Sequence, residues 1–203
     1  AAQYAIGQFY ATTGDLARVE SLSRAQLGQF LEAAEPDRMK LGLERTGLAP
    51  ILMQTGRLAE AEEMLTTGLN DLMTVVGAGH GTVVKAKIKI GLVRAMQGRY
   101  ADAQAVADPA FALVQAQAVK DDFDVLLPVD EDMALQAEME GRLNLAETHL
   151  RHALDLREKH DTPDSLDIAS TRIALANVLR EQGNIVEARE QMKLVPASVI
   201  VKL

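Results

Sequence analysis

The chain has 203 residues, of which 48% are hydrophobic and only 3% aromatic, with no cysteine, no tryptophan and a formal net charge of -8. Without cysteine there is no disulfide, thiolate metal site or cysteine nucleophile, and the acidic balance argues against general nucleic-acid binding. No apolar run approaches the roughly 18 residues of a membrane span.

The first residues, Ala1-Ala2-Gln3, include no Met, and no signal-peptide pattern follows. The sequence is therefore read as a fragment or processed product with a cytoplasmic setting. Apolar residues then recur at three- and four-residue steps, the amphipathic helix period. Helices are predicted in pairs around a glycine: 3–13 and 15–34 about Gly14, 37–55 and 57–76 about Gly56, and 82–97 and 99–118 about Gly98. The last two pairs are 124–140 and 142–159 about Gly141, and 164–182 and 184–194 about Gly183. Pro36 and Pro163 suit a first helical turn, and Thr82 and Thr162 suit N-caps. Gly77, Gly79 and Gly81 mark a turn between pairs. Pro50 and Pro109 fall inside predicted helices, where a proline costs about 3 kcal/mol, so kinks or breaks are expected there. Pro128 either starts the fourth first-helix or kinks it. The only strand-like stretch is Ser198-Val199-Ile200-Val201.

The five glycines are spaced by 42, 42, 43 and 42 residues, in the frames TGDLARV, TGRLAEA, QGRYADA, EGRLNLA and QGNIVEA. A fixed period in this range is the mark of stacked repeats. Glycine supplies the left-handed turn that ends one helix and lets the chain double back. Each unit is thus a helix hairpin, helix A before the glycine and helix B after it. The expected fold is all-α, a solenoid of five hairpins over residues 1–195. Its units are about 1–35, 36–77, 78–120, 121–161 and 162–195, followed by a tail at 196–203.

This frame resembles the tetratricopeptide repeat: a small residue, a glycine, a polar and an apolar residue, and an alanine five positions after the glycine. Here that alanine is Ala61, Ala103, Ala146 and Ala188, with Val19 in its place in the first unit. The long period is similar to that of kinesin light chains and of bacterial multi-repeat proteins. The stretches Ala153–Asn184 and Val75–Tyr100 carry the likeness best. Kinesin-light-chain repeats place paired asparagines on helix A, whereas the matching pairs here are Thr46-Gly47, Ile88-Lys89, Glu131-Asp132 and Ile173-Ala174. The resemblance is architectural.

It implies a superhelix whose concave groove is lined by helix A and takes a peptide or partner segment. The groove residues it implies are Tyr4, Gln8, Thr46, Met53, Lys85, Lys89, Leu92, Met96, Glu131, Leu135, Glu138, Asn177, Arg180 and Glu181. The third helix A holds Lys85, Lys87, Lys89 and Arg94 with no acid; the fourth holds Asp124, Asp130, Glu131, Asp132, Glu138 and Glu140 with no base. Such bands would orient a bipolar peptide; alternatively, they only attract one another.

His149 and His152 lie three apart on a helix with His160 beyond, but no third ligand has useful spacing, so they read as solvated surface residues rather than a metal site. His80, in the glycine turn, reads as a capping or loop residue. The run Asp121-Asp122-Phe123-Asp124 lacks the calcium-loop glycine and glutamate and reads as a solvated loop. No phosphate loop, nucleophile elbow or zinc-protease motif occurs. The last helix B presents Ile185, Ala188, Met192 and Val195 with no later helix to cover them, which predicts packing there on a further domain, on the tail itself or on another copy of the chain. The expectation is a non-enzymatic interaction scaffold, without cofactor or metal and without nucleic-acid or membrane partners. The alternatives are a regulatory segment of a larger bacterial signalling protein or enzyme, and a self-association module.

Overall fold

The computed structural model describes residues 15–116, 122–163 and 165–196. Tyr4, Gln8, the 3–13 helix and the 198–201 stretch lie outside them. Among the described residues there are nine helices and no strand. They are α1 (Leu16–Leu31), α2 (Arg38–Gln54), α3 (Leu58–Val76), α4 (Gly81–Met96) and α5 (Tyr100–Ala116). Then come α6 (Phe123–Met139), α7 (Leu143–His160), α8 (Leu166–Glu181) and α9 (Ile185–Lys193). The chain divides after Leu113, within α5, into two compact units.

The predicted turns within the described residues form as one repeated motif; the turn at Gly14 lies outside them. Gly56, Gly98, Gly141 and Gly183 have φ of 75°, 77°, 72° and 84°. The N–H of the following residue donates to the carbonyl five back, Arg57 to Leu52, Arg99 to Arg94, Arg142 to Ala137 and Asn184 to Leu179, each at 2.8 Å. This closes the helix by satisfying its orphan carbonyls. A Cβ at any of these glycines would meet nothing within 4 Å. Backbone conformation, not space, requires glycine there.

In unit 1 the core joins Leu48, Leu52, Ala61, Leu65, Ile90 and Val93, from α2, α3 and α4. Glycine also lets α2 and α3 approach closely. A Cβ on Gly42 would lie 2.6 Å from Leu72 Cγ, and one on Gly68 would lie 3.0 Å from the Gly42 carbonyl oxygen. Beside this crossing, buried Asp71 on α3 takes Arg45 and Arg38 from α2. In unit 2 the core joins Ala137, Ala146, Leu150, Leu175, Leu179 and Ala188, from α6 to α9. The motif alanines Ala61, Ala103, Ala146 and Ala188 are all buried, where a larger side chain would hold the helices apart.

Pro50, Pro109 and Pro128 do not break their helices: α2, α5 and α6 run through them. The residues around each proline are buried: Leu48, Ala49 and Leu52; Ala107 and Ala110; Leu127 and Val129. At about 1.5–3 kcal/mol for each large apolar side chain buried, the packing around Pro50 and Pro128 outweighs the lost hydrogen bond. Pro128 also does not start its helix, which begins at Phe123 with Asp122 at the N-cap. The acidic run is therefore a helix start over Asp122–Asp124 rather than a loop.

Two caps fall on other residues. His80 caps α4, its Nδ1 accepting from the Thr82 N–H at 3.3 Å, so Thr82 is inside the helix. Ser165 caps α8, its Oγ accepting from the Ile168 N–H at 3.1 Å, which leaves Thr162 and Pro163 in the preceding turn. Pro36 likewise precedes the Asp37 cap of α2.

At the end of unit 2, Ala188 and Val195 are buried, Val195 against Ala169 and Ile173. Only Ile185 and Met192 of the four predicted end residues are exposed, together with Val186 and Leu194.

Candidate binding surface

The helix period places Glu131, Leu135 and Glu138 of α6 on one side, four and three residues apart. α8 faces them with Asp167, Ser170, Thr171 and Ala174. Between the two helices lies an open groove of about 230 Å3 floored by Ala134 and Leu150. Leu135, 47% exposed, is its largest accessible apolar side chain.

Arg157 of α7 closes one end. Its Nη2 donates to Glu131 Oε1 at 2.5 Å, and its Nη1 lies 3.4 Å from Asp161 Oδ2 and 3.3 Å from Asp167 Oδ2. Burial works against the Arg157 charge, yet the bond to Glu131 and the nearby Asp167 and Asp161 carboxylates hold the guanidinium above its usual range. At the other end no cation among the described residues pairs with Glu138. Burial first, and then the Glu181 charge on α8, push the Glu138 carboxyl above the ordinary carboxylate range. The groove therefore offers an apolar step flanked by a neutralised acid at one end and an uncompensated one at the other.

Of the residues implied by resemblance, Glu131, Leu135 and Glu138 come together here. Asn177 and Arg180 line a separate groove between α8 and α9. In unit 1, Lys85, Lys89, Met53 and Met96 are half-buried, and Met53 packs on the core. Leu92 is 2% exposed and cannot meet a ligand in this structure, because it sits on the inward side of α4 with Ile88 and Ala95.

Sequence reasoning missed Arg157, Asp167 and Thr171, which lie on α7 and α8; the Arg157–Asp161 spacing on one helix face was a signal. It also misplaced His149, whereas His152 and His160 are exposed as expected. His149 is 2% exposed, and its Nδ1 lies 2.8 Å from Asp130 Oδ1; His152 Nδ1 lies 2.5 Å from Asp130 Oδ2. Both imidazoles hold a buried carboxylate on the neighbouring helix, His149 from within the core and His152 from the exposed side of α7. Among the described residues no three His, Cys, Asp or Glu side chains converge as a metal site, and no helix is long and apolar enough to cross a membrane.

No curated protein sequence matches the chain. Residues 127–194 match the tetratricopeptide repeat family. Among solved structures, the chain is similar to BtubC (BKLC) from P. vanneervenii, with 18% identity and a TM-score of 0.70 over 94% of this chain and 76% of that one. It is also similar to a kinesin-light-chain-like protein of Podosopora anserina with nearly identical TPR-like repeats, with 15% identity and a TM-score of 0.66 over 99% and 94% of the two chains. A point variant of that protein gives 16% and 0.67 over 95% and 90%. The family match covers α6 to α9, the same glycine-turned hairpin recurs before it, and the fold is that of the tetratricopeptide-like repeat structures.

Proposed function

We propose that the chain is a protein–protein interaction scaffold that holds a peptide or partner segment, without catalysis, against its helix A surfaces. The observation that carries this reading is the open α6–α8 groove, where exposed Leu135 stands between the Arg157 cluster and Glu138. An accessible aliphatic side chain with oriented charges on either side gives affinity through burial and direction through charge. At roughly 25 cal/mol per Å2 of apolar area, less the ordering costs of association, a short peptide binds such a groove in the micromolar range. In unit 1 the same reading assigns Lys85, Lys89, Met53 and Met96 to the binding surface.

The test is selection from a displayed random-peptide library on the intact chain, followed by titration of the enriched peptides. Leu135→Asp should weaken binding by about tenfold or more, the loss of one well-buried anchor, with helix content unchanged. Enrichment no greater than on the heat-denatured chain, or affinity unchanged by Leu135→Asp, overturns the assignment.

A further inference from the structure

A second surface stands apart from that groove. α8 and α9 form the last described hairpin, with an open groove of about 380 Å3 between them. Ile185 and Met192 line it at 41% and 40% exposure, with Ile173 behind them. Its polar lining is Asn177, Arg180 and Arg189.

The fold shows what such a hairpin receives. In unit 1 the α2–α3 hairpin accepts α4, whose Ile90 and Val93 join its core. In unit 2 the α6–α7 hairpin accepts α8 through Leu175 and Leu179. In both cases the incoming element is a helix presenting aliphatic side chains three or four residues apart. Among the described residues no helix enters the α8–α9 groove.

The charges around it specify the rest. The neighbouring acids are directed elsewhere: Glu187 takes Arg151 and Asn184, Glu190 takes Lys193, and Glu181 stands beside Glu138. Arg172 is held by Glu158. Arg180 and Arg189 meet no carboxylate among the described residues. On a chain of net charge -8, this groove has an aliphatic floor and two exposed guanidinium groups, the geometry that recognises carboxylates.

We propose that the α8–α9 groove docks a helix of a partner protein, one carrying an aliphatic stripe with Asp or Glu beside it. The aliphatic stripe fills the place that α4 and α8 fill on the earlier hairpins. The acids meet Arg180 and Arg189.

The test uses two stapled helical peptides of about four turns, each carrying a leucine stripe and a photo-crosslinker. One is flanked by Glu and the other by Lys. The Glu peptide should bind the intact chain about tenfold or more tightly than the Lys peptide, weaken with added salt, and cross-link to α9. Arg180→Glu with Arg189→Glu should reverse the preference, and Met192→Asp should weaken both peptides. Equal affinity for the two peptides, or cross-linking to α6 at Leu135 instead of α9, overturns the proposal whatever the variants do. So does a concentration-dependent mass that Met192→Asp abolishes, which makes the occupant a second copy. Binding that appears only after deletion of 197–203 also overturns it, because the chain's own end then fills the groove.

Discussion

Asp130 on α6 and His149 on α7 are joined across 2.8 Å, each only 2% exposed. A buried carboxylate is tolerated only when its lone pairs are met, and here the second oxygen takes His152. The bond ties the two helices of one hairpin through polar groups inside a mostly aliphatic core.

Removing one partner should cost more than removing both. Asp130→Ala takes this bond from a buried imidazole and should destabilise unit 2 by about 2–3 kcal/mol. Asp130→Leu combined with His149→Leu replaces the pair by apolar volume and should recover most of that loss. A double-mutant cycle in urea measures the coupling; additive single losses would show that the pair acts only as filler.

Two glycines of the same helix should respond in opposite ways. At Gly42 an added methyl meets Leu72 and the α3 backbone, so Gly42→Ala should cost about 1–3 kcal/mol by overpacking. At Gly47 a Cβ meets nothing within 4 Å, so Gly47→Ala should stabilise by about 0.5–1 kcal/mol through helix propensity and a stiffer unfolded chain. Thermal unfolding of both variants distinguishes a helix crossing set by contact from one set by flexibility.

Acid should loosen α1 through one residue. Bonds from Arg57 first, and then from Arg24, lower the Glu20 carboxyl to about 2. A depressed folded pKa gives stability that is present above the unfolded value near 4.5 and is lost as pH falls toward 2. Glu138, raised by burial and Glu181, has the opposite sign: its penalty is felt at neutral pH and relieved as pH drops. Glu20→Gln should therefore lower stability at neutral pH and flatten the acid limb of the stability profile. Glu138→Gln should raise neutral stability modestly, with an advantage that fades in acid. Stability measured by denaturant titration across pH reports both.

The hairpins were legible because one residue type at one spacing fixes them. Gly56, Gly98, Gly141 and Gly183 turn the chain where the period says, and the described helices start and stop within a few residues of the predicted bounds. What the sequence hid was set by tertiary contact. Pro50 and Pro128 obey local propensity only in an isolated helix, and packed neighbours override it here. Thr82 and Thr162 are good caps by type, but His80, which also read as a capping or loop residue, and Ser165 stand where the helices actually begin. Leu92 and His149 follow the same rule: periodicity gives a face, but which face is covered depends on the next helix, and buried Asp130 makes an inward histidine acceptable.

One register recurs on the helix B side. Arg24 bridges Glu20 on its own helix to Glu60 after the next glycine turn, and Arg151 bridges Glu147 to Glu187 in the same way. Each of these clasps crosses from one hairpin to its successor, and each is partly open to water. Their strength falls with ionic strength, while the aliphatic cores do not. Concentrated salt should thus release the clasps yet leave neighbouring hairpins joined through the cores they share. The outer edge of each hairpin junction then answers to the buffer, and its interior does not.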